Sequence, residues 1–427
     1  AFADDTASTD AEVETEHFRV VSSSAAFPAS RAASLLELAH PQWRALFERD
    51  DDRRDRLQVR VHGDAGSFQR ATGFGVDDAI GIFDPSSGVA HIHAPTASRV
   101  CIETLLHEVV HQYHELGAAQ RLRPLAPWYC EGLATLFSES FRWVGHDLKV
   151  RWDETAGAGA RIRTDDAVSF AWWFGTGLQW CRSSDPTKAL HGIVSSSLRR
   201  FDAGTLHDTR RRYGLGAVLV DFLRSESPKP KGWHTLITRL DAGDQPDLAR
   251  VARACGFRSE RELVRALLKW IPRRCPPCFV TEGTFDFDEQ GRIVHRAGGG
   301  HGLIVASPMV RDLSVRAVDA SSPESRLGVL VDWIDNSEFT AVYLVRTETT
   351  TTAVLAKLAG GSWTVLDSRP CPLSTRDRLE VRSGPGDALT VRVNGSAVFA
   401  PKRGSGGLGV YIFGAAVGPL EITTVRR

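Results

Sequence analysis

The apolar pattern of the chain changes near residue 275, and this change limits the possible folds more than any other feature. Between residues 101 and 274 apolar side chains recur at the helical period, as in CIETLLHEVVHQYHELG and ERELVRALLKWIP. After IPRRCPPC, about ten short stretches rich in Val, Thr and Leu alternate apolar and polar residues between Gly-rich turns. The first pattern predicts packed helices, and the second predicts an all-β sandwich or jelly roll.

The region before residue 101 shows two further patterns. Residues 1–16 are rich in Ala, Thr, Asp and Glu and lack periodicity, which predicts a mobile lead-in. The following residues alternate predicted strands and helices and end in two short strands around DPSSG, which predicts a small α+β unit. We therefore expect three parts: the lead-in, an α+β domain over 17–274 with a sheet part (17–100) and a helical part (101–274), and a β-sandwich over 275–427.

The composition favours a folded protein without a nucleic-acid partner. The 427 residues are 42% hydrophobic and 24% charged, a balance typical of domains with cores of their own. The 52 Lys and Arg residues equal the 52 Asp and Glu residues, so no net field attracts nucleic acid or an anionic membrane. No stretch approaches the roughly 18 apolar residues that span a bilayer. We expect no transmembrane segment.

The first residues and the cysteines bear on the compartment. Ala1, Phe2 and Ala3 match the small-residue pattern of a signal-peptidase site, which predicts a secreted or cell-envelope protein, although a trimmed chain would begin in the same way. The seven cysteines are scattered, which argues against a disulfide scaffold. The CPPC stretch at 275–278 is compatible with a disulfide, half of a metal site or a redox pair, but its two prolines favour a rigid linker.

The segment LLHEVVHQYHE at residues 105–115 carries the main candidate chemistry. On a helix, His107 and His111 lie one turn apart on one face, so two imidazole nitrogens can reach one ion. Glu131 follows inside PWYCEGLATLF, on a second predicted helix, and can supply a third ligand. Two imidazoles and a carboxylate leave the fourth position of a tetrahedral zinc ion for water. The pattern therefore predicts a catalytic Zn²⁺ site.

Glu108 is the predicted general base of this site. It follows His107 directly, so it flanks the ion without binding it, and it can take a proton from a zinc-activated water and pass it to a leaving amine. The alternative is an ordinary amphipathic helix whose histidines need no metal. The second motif, at a suitable distance, favours the metal site.

At HEVVH and PWYCEGLATLF the chain resembles the gluzincin metallopeptidases, the zincins whose third ligand is a Glu on the following helix. It is most similar to peptidase-MA-like proteins of unknown function that carry LLHE..HQ and P.W..EGLA. The resemblance covers residues 17–272. It implies a thermolysin-like α+β fold and hydrolysis of a peptide bond in a peptide or protein substrate.

The resemblance also implies two further parts of the site. A strand just before the H-E-x-x-H helix is expected to pair with extended substrate, and GVAHIHA at 88–94 lies at that position. The alternative is that His91 and His93 are only side chains on an exposed edge strand, which is the interpretation that we favour for them. A later helix is expected to supply a Tyr to the oxyanion, and Tyr213 in RRYGLGAVLVDFL is the candidate. The alternative is that Tyr213 only begins a core helix.

Two features depart from the gluzincin pattern. Thr135 stands four residues after Glu131, where a carboxylate is expected, so the group that orients a ligand histidine is unidentified. No aminopeptidase motif such as G-x-M-E-N is present, which favours an endopeptidase or a specialised enzyme. Cys101 and Cys130 flank the site, and they could be thiolate ligands, a disulfide or, as we favour, buried inert thiols.

The segments after residue 275 resemble concanavalin A-like, laminin-G-type jelly rolls, as in RLEVRSGPGDALTVRVNGSAVFA and GGLGVYIFGAAVGPLEITTVRR. Such domains often bind glycans, which implies a glycan or cell-surface polysaccharide as a partner. Trp333, Tyr343 or Trp363 could stack on sugars, and the alternative places all three in the core. This part of the sequence shows no pair of carboxylates of the kind that a glycosidase uses.

The sequence therefore predicts a zinc-dependent metallopeptidase with a C-terminal binding module. The alternative from another functional class is a non-catalytic zinc-binding scaffold whose jelly roll carries the recognition. Hydrolysis of a non-peptide amide is a third possibility.

Overall fold

The computed structural model describes most of the chain in segments. They are residues 11–47, 56–76, 79–96, 99–115, 124–139, 141–144, 147–150, 168–169, 175–177, 180–181, 185–203, 206–274, 278–282, 285–287, 293–295, 301–306, 310–317, 326–335, 337–347, 349–372, 377–385, 388–402, 407–413 and 420–426. The chain divides into two compact units. The first comprises Ala1–Trp143, Leu148–Ile162 and Trp180–Leu267, and the second Val144–Asp147, Arg163–Gln179 and Leu268–Arg427.

The first unit contains a five-stranded sheet in the order β1-β2-β3-β5-β4. Strands β2, β3 and β5 are parallel, and the two outer strands, β1 and β4, run antiparallel to their neighbours. Because parallel strands need long crossovers, helices α1 and α2 connect them. The bounds are β1 (Ala11–Glu14), β2 (Phe18–Ser22), α1 (Ala29–Phe47), β3 (Leu57–His62), α2 (Ala65–Thr72), β4 (Gly81–Asp84) and β5 (Val89–His93).

Strand β1 corrects the predicted lead-in. Residues 11–14 lie in the predicted mobile segment, but they form a ladder with β2, and the Arg19 Nε donates to the Glu12 carboxylate at 2.6 Å. Backbone pairing with a neighbouring strand orders a segment whose composition alone indicates mobility. Residues 1–10 lie outside the described residues.

The helical part of the first unit follows the sheet. Its helices are α3 (Arg99–Glu115), α4 (Pro127–Ser138), α5 (Pro186–Val194), α6 (Leu198–Asp202), α7 (Leu206–Glu226), α8 (Pro230–Asp241), α9 (Leu248–Cys255) and α10 (Glu260–Arg274). Helices α4 and α7 cross closely at two glycines. A Cβ added at Gly132 would overlap the backbone of Gly216, and one added at Gly216 would lie 2.7 Å from the Trp128 carbonyl oxygen. The predicted α+β organisation is thus confirmed for the first unit.

The second unit is a sandwich of two sheets, as predicted, and its described strands pair antiparallel except for the parallel pair β8–β9. One sheet has seven strands in the order β10-β11-β22-β13-β18-β19-β20, and the other has eight in the order β17-β16-β15-β14-β21-β12-β9-β8. Buried residues from both sheets form one core, which includes Val315, Val381, Val329 and Val410. The alternation of apolar residues predicted after residue 275 supplies this core, and β15 and β21 in addition bury consecutive residues.

Apart from β8, which precedes helices α5 to α10 in the chain, the strands of the second unit follow one another closely. They are β8 (Val168–Ser169), β9 (Cys278–Glu282), β10 (Phe285–Phe287), β11 (Ile293–His295), β12 (His301–Ala306), β13 (Val310–Ala317), β14 (Arg326–Asp335), β15 (Glu338–Arg346), β16 (Thr351–Ala359), β17 (Ser362–Cys371), β18 (Arg378–Ser383), β19 (Leu389–Val393), β20 (Ser396–Phe399), β21 (Gly407–Phe413) and β22 (Leu420–Arg426). A separate pair, β6 (Phe141–Val144) and β7 (Asp147–Val150), forms a two-stranded sheet.

The boundary of the second unit differs from the predicted position at residue 275. The division falls inside α10, and two earlier segments also join the second unit. Strand β8 explains one of them, because Val168 and Ser169 pair with Cys278 and Phe279 of β9. Such pairing between distant segments leaves no periodic signal in so short a strand. Residues 275–277 lie outside the described residues, so the CPPC linker is not observed.

Candidate metal centre

Two histidines and one glutamate converge between α3 and α4. The Nε2 atoms of His107 and His111 lie 3.2 Å and 3.4 Å from the same oxygen, Oε2 of Glu131. All three ligand atoms lie within 4.8 Å of one another. The helical spacing of the histidines and the arrival of Glu131 from the next helix agree with the sequence prediction.

These distances fit a divalent zinc ion. Tetrahedral zinc with bonds of about 2.0–2.2 Å separates its ligand atoms by roughly 3.3–3.6 Å. The two measured nitrogen–oxygen distances lie at or just below that range. The donor set of two imidazole nitrogens and one carboxylate oxygen is also one that zinc prefers in sites with an open position. Residues His107, His111 and Glu131 are therefore able to hold the ion.

The carboxylate of Glu131 is electrostatically matched to the two histidines. Glu131 is 8% exposed, and burial by itself would raise its pKa. The adjacent imidazoles of His111 and His107 outweigh burial and hold the pKa of Glu131 below its ordinary value. The carboxyl is therefore ionised and ready to bind a cation at neutral pH.

Glu108 lies on α3 against the backbone of β4. Burial raises the pKa of its carboxyl, although the imidazoles of His107 and His111 act in the opposite direction. The backbone amide of Phe83 on β4 is also close enough to lower the pKa of this carboxyl. A Cβ added at Gly81 would lie 2.9 Å from the Glu108 Cγ and would overlap the Thr104 side chain. Glu108 can therefore pack against β4 because Gly81 has no side chain.

Strand β4 is the edge strand of the sheet next to this site. The His93 N–H donates to the Ile80 carbonyl, so alternate residues from Ile80 face β5, and the backbone groups of Gly81 and Phe83 face away from it. The expectation that GVAHIHA forms the edge strand is wrong, because β5 lies between β3 and β4. His91 is buried and bonds to His62, with 3.1 Å between Nδ1 and Nε2.

Tyr213 lies beside the ligand pair. Its ring stacks on the ring of His107, with centroids 6.0 Å apart and an angle of 15° between the planes. The Phe201 ring also contacts the Tyr213 ring, with 5.5 Å between the centroids. The close crossing at Gly216, one turn after Tyr213 on α7, brings this residue to the candidate centre. The role of oxyanion donor stays a prediction.

The sequence prediction missed the contacts of Cys130 and His114. The Cys130 Sγ lies 3.2 Å from the Nδ1 of His111 and 3.6 Å from the Nδ1 of His114. Neither Cys101 nor Cys130 is in a disulfide. The available signal was the position of His114, three residues after His111 on α3, which places both rings on neighbouring parts of one face.

The aromatic residues of the sandwich form a cluster on the eight-stranded sheet. Trp333 and Tyr343 are buried, and Trp363 is partly exposed. The Trp363 ring meets Tyr343 and Tyr411 nearly edge-on, at 5.8 Å and 5.6 Å between centroids. Two of the three predicted sugar-stacking residues are therefore core residues.

The helices of the described residues do not include one that is long and apolar enough to cross a membrane.

Comparisons with known proteins relate the sandwich to known folds. No protein-family model matches the chain, and no curated protein matches it. Among solved structures, the C-terminal part resembles jelly-roll β-sandwiches. The carbohydrate-binding module CBM66 from Bacillus subtilis is 14% identical, covers 34% of this chain and 94% of its own, and has a TM-score of 0.27.

Two further structures show the same level of similarity. The β-glucanase of Bacillus licheniformis is 9% identical, with 34% of this chain and 82% of its own covered and a TM-score of 0.26. Sheep galectin-11 is 12% identical, with 30% and 98% covered and a TM-score of 0.21.

Proposed function

We propose that the first unit is a zinc-dependent metallopeptidase of the gluzincin type. The observation that carries the proposal is the convergence of the His107 Nε2, the His111 Nε2 and the Glu131 Oε2 at distances that suit tetrahedral zinc. The Glu108 carboxyl lies on the same helix and is held by the edge strand. This arrangement supports hydrolysis by an activated water.

The residues of the site have distinct roles in this proposal. His107, His111 and Glu131 would hold the ion, and the chemistry that zinc supplies when bound is Lewis acidity, which lowers the pKa of water and polarises a carbonyl. Glu108 takes the proton of the attacking water and delivers it to the leaving amine. The N–H of Phe83 orients the Glu108 carboxyl for both transfers. Tyr213 donates its phenol O–H to the developing oxyanion.

The outer edge of β4 suits an extended peptide. The backbone groups of Gly81 and Phe83 face away from β5, so a substrate strand can add to this edge by main-chain hydrogen bonds. The Phe83 amide lies beside Glu108, so the backbone groups of Gly81 would be the main contacts for substrate. The scissile bond would then lie near Glu108.

The first test combines metal content with turnover. We expect about one zinc per chain in the unmutated protein and in Glu108→Gln, and none in the His107→Ala, His111→Ala double variant. A peptide library should be cleaved by the unmutated protein, and Glu108→Gln should lower the rate by roughly 10²- to 10⁴-fold. If the unmutated protein held no more zinc than the double variant, even after zinc is supplied, the metal centre would be refuted. Zinc without turnover on any peptide pool would indicate the non-catalytic scaffold.

The second candidate function is recognition of a glycan or polysaccharide by the β-sandwich, with the zinc unit as a scaffold. The observation that favours it is Trp363, a partly exposed aromatic residue on the outermost strand β17. Aromatic faces stack on sugar rings, and such a ligand would suit a secreted or cell-envelope location. A glycan array should show binding that Trp363→Ala abolishes and Trp333→Phe retains. Equal binding by the Trp363→Ala variant would rule out this surface.

A further inference from the structure

Cys130 lies between two histidines, one of which is a proposed zinc ligand. Its Sγ is 3.2 Å from the His111 Nδ1 and 3.6 Å from the His114 Nδ1. His114 is 2% exposed, so the contact lies in the protein interior. The hydrolytic roles proposed above do not use either Cys130 or His114.

The two ring nitrogens of His111 face different groups. Its Nε2 faces Glu131 and the proposed ion, and its Nδ1 faces the sulfur. A neutral imidazole that gives the Nε2 lone pair to a metal carries its proton on Nδ1 and must donate it. The acceptor in the structure is the Cys130 Sγ. The thiol proton can in turn be donated to the His114 Nδ1, which forms a continuous chain of hydrogen bonds.

Direct ligation by the sulfur is the competing arrangement. His111, His114 and Cys130 also form a group whose ligand atoms lie within 4.8 Å of one another. This group shares His111 with the first, and one neutral imidazole has a single nitrogen lone pair to give, so only one group can hold an ion. Zinc bonded to nitrogen and sulfur separates them by about 3.5 Å. The Cys130–His114 distance of 3.6 Å suits either arrangement, but the Cys130–His111 distance of 3.2 Å is shorter than a shared zinc ion would give, which favours the hydrogen bond.

We infer that Cys130 is a positioning residue of the metal centre: its sulfur accepts the Nδ1–H of His111 and fixes the ring with Nε2 toward the ion. The inference rests on the proposed zinc site. Sulfur here takes the place of the carboxylate or carbonyl oxygen that usually holds a metal-bound histidine. It supplies the orienting group that Thr135 does not provide at the expected position.

The test is zinc affinity measured by competition with a chromophoric chelator. Cys130→Ala removes the acceptor and should weaken zinc binding by roughly 10- to 100-fold. Cys130→Ser keeps an acceptor and should recover most of that loss. Cys101→Ala, which changes a buried cysteine on α3, is the matched control and should bind as the unmutated chain does. Equal affinity in all four proteins would overturn the inference while the zinc site stands.

Replacing zinc with cobalt distinguishes a hydrogen bond to the Cys130 sulfur from direct ligation by that sulfur. This test does not require that Cys130→Ala folds. The unmutated protein loaded with Co²⁺ should show the visible bands of a tetrahedral ion and no thiolate-to-cobalt charge-transfer band, since the sulfur does not touch the metal. A charge-transfer band that disappears in Cys130→Ser would show direct ligation and overturn the inference. An unmutated chain that binds neither metal would instead refute the proposed function, and the inference with it.

Discussion

The function of each side chain at the site depends on which partner each of its nitrogen, oxygen or sulfur atoms faces. The spacing of His107 and His111 predicts that their rings share a helix face, because residues four apart lie one turn apart. It does not predict which ring nitrogen of His111 faces which partner. That choice depends on Glu131 and Cys130, which are adjacent in sequence on another helix and reach opposite sides of one imidazole.

Tyr213 provides a test at this scale. Its ring stacks on His107, so Tyr213→Phe keeps the packing and removes only the phenol donor. We expect kcat to fall by roughly 10²- to 10³-fold while zinc content and KM change little, because the lost hydrogen bond forms in the transition state. Steady-state kinetics on a cleaved peptide will measure this. An unchanged kcat would mean that Tyr213 only packs against the ligand.

Among the secondary-structure elements, the position of strand β4 is the least predictable part of the site. The sequence predicts two short strands around DPSSG, and the structure confirms both. Which of the two forms the edge cannot be read from their composition, since both are short and apolar. The order is decided by the parallel pairing of β5 with β3, which leaves β4 on the outside.

Gly81 tests the contact between β4 and α3. In Gly81→Ala the new methyl group would overlap Thr104 and lie 2.9 Å from the Glu108 Cγ, so the general base must shift. A displacement of this kind lowers turnover by on the order of 100-fold. Zinc content should fall less than turnover, because the atoms nearest the added methyl group belong to Thr104 and Glu108 and none of them belongs to a ligand.

A matched control for Gly81→Ala is Gly192→Ala on α5. An added Cβ at Gly192 meets nothing within 4 Å, and alanine favours a helix. We expect its turnover and stability to equal or slightly exceed those of the unmutated chain. If Gly81→Ala and Gly192→Ala cleave peptide equally well, the edge strand does not position Glu108.

At the scale of the whole molecule, the chain joins two units that are built on different principles. The first combines a sheet with helices, and the second is a sandwich of two sheets. The candidate metal ligands all belong to the first unit. Removal of metal should therefore affect the two units unequally.

Chelation tests this difference. At free zinc 1,000 times above Kd, binding stabilises the folded state by about 4 kcal/mol, which corresponds to about 10 °C in the Tm of a unit of this size. We expect EDTA to remove this gain and to raise hydrogen exchange in α3 and α4 but not in β14 and β15, as measured by mass spectrometry. The His107→Ala, His111→Ala variant should not respond. Exchange that rises equally in both units would contradict a site confined to the first.

The sequence by itself determined the features that depend on local periodicity. The shared face of His107 and His111, the helical part and the alternating strands of the sandwich all follow from repeats of 3.6 or two residues. Only the tertiary structure decided that β4 is the edge strand, that β1 joins the sheet and that β8 joins the sandwich. It also decided that Cys130 contacts His111. Contacts between separate helices and strands depend on how these elements pack in three dimensions, and they leave no periodic pattern in the sequence.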